Sequence, residues 1–224
     1  SWVDRLRRMY PMDSIDVAVR GTAFATTGNL NTGVTGTVDD TGWKQALLDL
    51  EKARAVEAKD RYYFGAVNVS YTGGIAGLGY VGSPTALGWD KKVASAKDGY
   101  NYPEVLAHEV GHNFGRYHAP CGVTDADANW PTGAAYATAF TGVWGWDPAL
   151  GLTQAALKDP ALCKDIMSYC DGDLWVSNYT YGDATTDPAS PASSGGSAPG
   201  GILAFRAASS MGDVQEAQDC LLVS

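Results

Sequence analysis

No apolar run in this chain approaches the roughly 20 residues needed to span a bilayer, and no block of lysine and arginine is longer than the Arg5–Arg8 patch. With 16 basic against 25 acidic residues and a formal charge of −9, neither a membrane span nor a nucleic-acid or anionic-membrane partner is expected. Cysteine is scarce: Cys121, Cys163, Cys170 and Cys220 fit neither CxxC spacing nor a compact metal knuckle. Paired disulfides, with three possible connectivities, are the expected state and point to an extracytoplasmic protein. Four free buried thiols in a cytosolic protein are the alternative. The N-terminal SWVDRLRRMYP lacks the charged-then-apolar pattern of a signal peptide, so any export signal is expected to have been removed. Histidine is scarcer still, at three, and all three lie in HEVGHNFGRYH, His108 to His118.

What remains is an ordinary globular composition, 45% hydrophobic over 224 residues, with enough chain for a proper core. IDVAVR, Ile15 to Arg20, alternates as a strand does. From Asp39 or Asp40 to about Arg61, apolar residues Trp43, Ala46, Leu47 and Leu50 recur at three- and four-residue steps, which predicts a helix. YYFGAVNVSY reads as a strand. The glycine-rich Gly77-Leu-Gly-Tyr-Val-Gly82 matches GxGxxG, but Pro84 and its polar neighbours deny it the helix that would hold a pyrophosphate. Glycines there suit the close approach of another backbone, as beside an edge strand pairing with an extended peptide. A second helix is predicted over 103–114, with Pro103 in its first turn and Gly115 ending it. TQAALKDPALC suggests a short helix, DPASPASSGGSAPGG (187–201) a linker or loop, and 202–224 a closing segment.

On the second helix His108 and His112 stand one turn apart on one face, so both imidazoles can bind one ion. Glu109 sits beside the first of them and can reach a metal-held water without being a ligand. Gly115 can adopt a left-handed backbone and return the chain so that His118 supplies a third ligand. Three protein ligands leave the fourth position open, the catalytic rather than the structural arrangement of zinc. Zinc would acidify the water and polarise a scissile carbonyl, with Glu109 as general base and then acid.

His108-Glu-Val-Gly-His112-Asn-Phe-Gly115-Arg-Tyr-His118, followed by Asp165-Ile-Met-Ser-Tyr-Cys170, resembles the extended zinc motif and Met-turn of the metzincin metallopeptidases. HAPCG, VWGWD and WVSNYTY look most like secreted or surface bacterial members. The residue after the third histidine, Ala119, fits none of the usual acidic, Ser or Pro classes. The resemblance implies an α+β fold: an N-terminal lobe with a twisted mixed sheet and two long helices, a smaller irregular C-terminal lobe, and a cleft between them. One catalytic domain is expected, divided at 1–118 and 119–186. Met167 would underlie the imidazoles and Tyr169 would stabilise the oxyanion. The edge strand for substrate would be the segment with Gly77, Leu78 and Gly79, and Trp175 and Tyr179 would wall the S1′ pocket. Cys121 and Cys170 would converge beneath the metal and pair, leaving Cys163 for Cys220, although a local Cys163–Cys170 loop remains open.

These readings predict a monomeric zinc endopeptidase acting on protein or peptide substrates outside the cytoplasm. Calcium at DADAN (125–129) or DGD (171–173) is chemically possible, but solvated surface acids are the simpler reading. A weakly catalytic, metal-containing module that binds peptides or glycoproteins is the main alternative, favoured if the 202–224 segment covers the cleft. Hydrolysis of a non-peptide amide or ester is a third.

Overall fold

A computed structural model describes residues 2–12, 14–32, 39–92 and 101–186, with the backbone alone of 183–186, 202–207 and 221–223. The 187–201 linker, Cys220 and most of the closing segment lie outside the described residues. The helices are α1 (Trp2–Met9), α2 (Thr41–Glu57), α3 (Tyr102–Asn113) and α4 (Asn178–Thr186). The strands are β1 (Val17–Val19), β2 (Tyr62–Val67), β3 (Gly74–Tyr80), β4 (Thr85–Trp89), β5 (Gly145–Trp146), β6 (Leu157–Lys158), β7 (Lys164–Asp165), β8 (Leu174–Trp175), β9 (Ile202–Ala207) and β10 (Leu221–Val223).

Six strands form one mixed sheet in the order β1-β10-β2-β4-β3-β9. Only the β2–β4 pair is parallel. The two-residue side-chain period assigns the faces. Gly65 packs on Leu50 and Thr85 hydrogen-bonds Glu51, so that face carries α2. Gly88 packs on Val105, and Gly77 and Gly79 pack on Glu109, so the other face carries α3. α1 joins α3 there: Trp2 meets Phe64 and Tyr102 at ring-centroid distances of 5.5 and 4.5 Å, and the Tyr10 hydroxyl just beyond the helix donates to Ala107 O at 3.0 Å. Trp43, Leu47, Leu50, Leu87, Trp89, Val105 and Leu106 are all buried in the resulting core.

Several expectations need correction. α1 was not foreseen; it buries only Leu6 and Met9, and its three arginines hide the pattern. The 15–20 strand shrinks to three exposed residues whose backbone pairs with β10, so its alternation does not mark a buried face. TQAALKDPALC supplies one 3-10 turn, Gln154–Ala156, and then strand β6. Beyond His118 the chain forms turns, two small two-stranded sheets (β5–β6, β7–β8) and α4.

Candidate active site

α3 carries His108, Glu109 and His112, all fully buried. Three hydrogen bonds fix it to β3, β4 and the turn between them: Asn113 Nδ2 donates to Tyr80 O and Thr85 O at 3.0 and 3.1 Å, and Gly82 N donates to His112 O at 2.9 Å. The helix ends in a Schellman turn. Gly115, at φ +86°, donates its N–H to His112 O (2.8 Å), and Arg116 N reaches back to Gly111 O (3.0 Å). That reversal returns the chain so that His118 faces the helix, its ring centroid 4.8 Å from that of His112.

His108, His112 and His118 form a group whose potential ligand atoms all lie within 4.8 Å of one another. Their Nδ1 atoms face acceptors: Ile166 O for His108 (2.7 Å), Arg116 O for His112 (2.6 Å) and Asp125 Oδ1 for His118 (3.1 Å). A carbonyl or carboxylate can only accept, so each Nδ1 carries the ring proton. The Nε2 lone pairs then remain for an ion, and the Nε2 atoms of His112 and His118 are 3.1 Å apart. Burial, reinforced by neighbouring imidazoles, pushes His108 and His112 well below the usual histidine range. Burial also lowers His118, with Asp125 opposing. All three are therefore neutral, the form that binds metal. The donor set fits zinc.

Glu109 adjoins this group without contributing to it, and among the described residues neither carboxylate oxygen has a hydrogen-bond partner. Burial drives its carboxyl well above the usual range. A Cβ on Gly77 would overlap the Glu109 carboxylate, and one on Gly79 would lie 3.0 Å from Oε2. These glycines let the strand lie directly on the acid. Leu78 points to the opposite face, where it is wholly buried, so it offers a neighbouring peptide only its backbone.

Met167 is completely buried, its sulfur against Gly111 of α3. A Cβ on Gly111 would collide with that sulfur and lie 2.6 Å from the Tyr10 hydroxyl, so any larger residue inside the histidine motif would have to displace both side chains. Sequence reasoning gave Gly111 no role, and nothing local signals one. The Tyr169 hydroxyl lies 3.1 Å from His118 Nε2. The segments after His118 and around Met167 are joined by Ala119 N to Met167 O (3.0 Å), Tyr169 N to Cys121 O (2.9 Å) and the Cys121–Cys170 disulfide. Closing 49 residues of chain is worth about 4 kcal/mol in unfolded-state entropy. Replacing both cysteines by serine should lower unfolding free energy by about 2–4 kcal/mol in urea titrations.

The remaining predicted residues sit as follows. Cys163 is a buried thiol, free among the described residues and directed at Asp173 Oδ2 (3.6 Å), while Cys220, its expected partner, lies outside the described residues. Burial and the nearby Asp173 carboxylate push the Cys163 thiol up to about 12. Trp175 lines the cavity described below but is itself buried, between the Arg5 guanidinium and the Lys158 ammonium, 5.5 and 5.6 Å from its ring centroid, with Gly145 against its edge. Tyr179 links the two segments, donating to Asp127 Oδ2 (2.9 Å) and packing on Trp130 (5.2 Å). The acidic groups are similarly engaged, Asp125 with His118 and Asp173 with Lys158 at 2.8 Å. The outer edge of β3 is not open: β9 pairs with it. A cavity of about 540 Å³ between α1 and residues 143–148 and 175–181, with Trp144, Trp146 and Tyr181 in its wall, includes none of the histidines.

Fold and site together define a metallopeptidase. The family model described as Metallo-peptidase family M12B Reprolysin-like matches residues 7–119, half of the chain, and the match ends just after His118. The chain belongs to this reprolysin-like metallopeptidase family. No curated protein and no solved structure matches it. Membership and the three-histidine group agree with the metzincin-type resemblance of the sequence. A peptidase family implies protein or peptide substrates, and among the described residues no helix is long and apolar enough to cross a membrane.

Proposed function

We propose that this chain is a zinc-dependent endopeptidase cleaving extracellular proteins, with His108, His112 and His118 as metal ligands. One observation carries the reading: all three Nδ1 atoms are engaged, which leaves the Nε2 sides to a common centre beside a buried carboxylate. Zinc bound there supplies Lewis acidity toward the scissile carbonyl and the attacking water. Glu109 takes the water's proton on a carboxylate oxygen and delivers it to the leaving amine; the burial that raises its proton affinity suits both steps. Tyr169 donates a hydrogen bond from its phenolic O–H to the developing oxyanion. Met167 supports the imidazoles from below, and the glycines of β3 hold the peptide-binding edge against Glu109. The disulfide supports a secreted or cell-surface location, since such bonds persist in oxidising surroundings.

The alternative of a weakly catalytic peptide-binding module draws on one feature, the pairing of β9 with β3. Glu109 weighs against it, because a binding site has no use for a buried carboxylate that has no hydrogen-bond partner among the described residues, which costs free energy to keep. Chelation decides whether metal is needed. Hydrolysis of an unstructured protein such as casein should fall to background in excess chelator and return with zinc, and hydrolysis that survives verified metal removal would overturn the proposal.

A further inference from the structure

A strand has two edges, and β3 spends both on its own chain. Its inner edge pairs with β4 through Gly77, Leu78 and Gly79. The same three residues pair on the outer edge with Phe205, Ala204 and Leu203 of β9, antiparallel, and a bulge follows between Ile75 and Gly77. Gly77 and Gly79 are the residues that rest on Glu109. β9 also approaches α3, with Cα atoms within 8 Å. The histidines and Glu109 have at most 1% of their surface exposed. The far end of the same segment is secured elsewhere, where β10 is inserted between β1 and β2.

An extended peptide can hydrogen-bond to β3 only through backbone groups that β9 already uses. We infer that residues 202–207, Ile-Leu-Ala-Phe-Arg-Ala, are an internal occupant of the substrate edge and keep this chain latent until they are displaced. The inference rests on the proposed reading that peptides reach Glu109 along β3. Intramolecular tethering gives it force. Covalent tethering holds a segment at an effective concentration of about 1 mM, so even a segment with an intrinsic dissociation constant of about 0.1 mM would exclude substrate about tenfold.

Successive residues of a strand direct their N–H groups to opposite sides, so one of Leu203 and Ala204 donates toward β3. A chain carrying both Leu203→Pro and Ala204→Pro loses that donor and fits a ladder poorly, while β10 is untouched. The zinc-loaded intact chain and this variant are compared by amide hydrogen exchange and by hydrolysis of a quenched fluorescent peptide library. Exchange in α2 and β2 confirms that both are folded. The expected result is faster exchange in the variant at Gly77–Tyr80 and a rise in kcat/KM of about tenfold or more. A synthetic peptide of residues 201–208 should then inhibit the variant. As a second route, a protease site inserted between Ser194 and Gly195 should, once cut and diluted, reproduce the rise without any proline. Unchanged exchange at Gly77–Tyr80 on both routes overturns the occupancy. Faster exchange with unchanged hydrolysis in an active enzyme overturns latency. Faster exchange with no hydrolysis in any form leaves the occupant in place and overturns the peptidase reading instead.

Discussion

Replacing Glu109 by glutamine will lower kcat by about two to four orders of magnitude, the range that a positioned general base supplies, while zinc stays bound. Glutamine has nearly the same shape, so the close contacts with Gly77 and Gly79 survive. What disappears is the ability to accept the water's proton. The metal site should be indifferent, because each histidine is oriented by a group that the change leaves alone: Ile166 O, Arg116 O and Asp125. Folding stability should hold or rise, since a buried carboxyl with no hydrogen-bond partner gives way to an uncharged amide. Gly77→Ala should act on the same group from the other side. Its methyl needs the space of the Glu109 carboxylate, so kcat should fall with zinc content unchanged. Both variants are best measured in the intact chain and with Leu203→Pro and Ala204→Pro present, with metal content by atomic absorption. Glu109→Gln retaining more than about a tenth of the parent kcat would remove Glu109 from the mechanism, since a base is worth at least about a hundredfold.

The parts of this site legible in the sequence are those built from local spacing. His108, Glu109 and His112 follow from one helical turn, and the reversal at Gly115 from the conformational freedom of glycine at positive φ. Of the two long helices, the first is legible in apolar residues that recur at helical steps and the second in Pro103 at its start and Gly115 at its end. Features that depend on distant partners stayed hidden. Gly111 looks like any helix glycine until Met167, far along the chain, is placed under it. The burial of Trp175 is equally hidden, because its cationic neighbours, Arg5 and Lys158, come from separate elements. The glycine-rich strand reads as an edge for an extended peptide, and the structure seats a sequence-distant piece of the same chain there. Pairing register over such separations is decided by tertiary competition, not by any window of sequence.

Asp165 belongs with the hidden features, and its removal should be the most destabilising single change near the site. It is fully buried on β7, where its backbone pairs alongside Trp175. Its Oδ1 accepts Met167 N at 2.7 Å and its Oδ2 accepts Ser177 N, also at 2.7 Å. One carboxylate thus holds the turn at Met167 to the start of α4. Burial raises its pKa, and hydrogen bonds donated by Ser177, Met167 and Thr180 oppose the rise. Alanine would leave two buried N–H groups without acceptors at about 1–3 kcal/mol each, so a loss of about 2–6 kcal/mol is expected in urea unfolding of the metal-free protein. Asparagine should fall between, because its amide can accept at one position but presents a donor to the other N–H. The damage should reach the metal. Ile166, next in sequence, orients His108 through its carbonyl, and a displaced carbonyl should weaken zinc about 10- to 100-fold, the usual cost of losing a group that orients a ligand. Competition with a chromogenic chelator measures that loss apart from stability. An Asp165→Ala protein as stable as its parent and binding zinc as tightly would show that the turn at Met167 is held by packing alone. A loss of stability with zinc affinity intact would show that His108 keeps its orientation without Ile166.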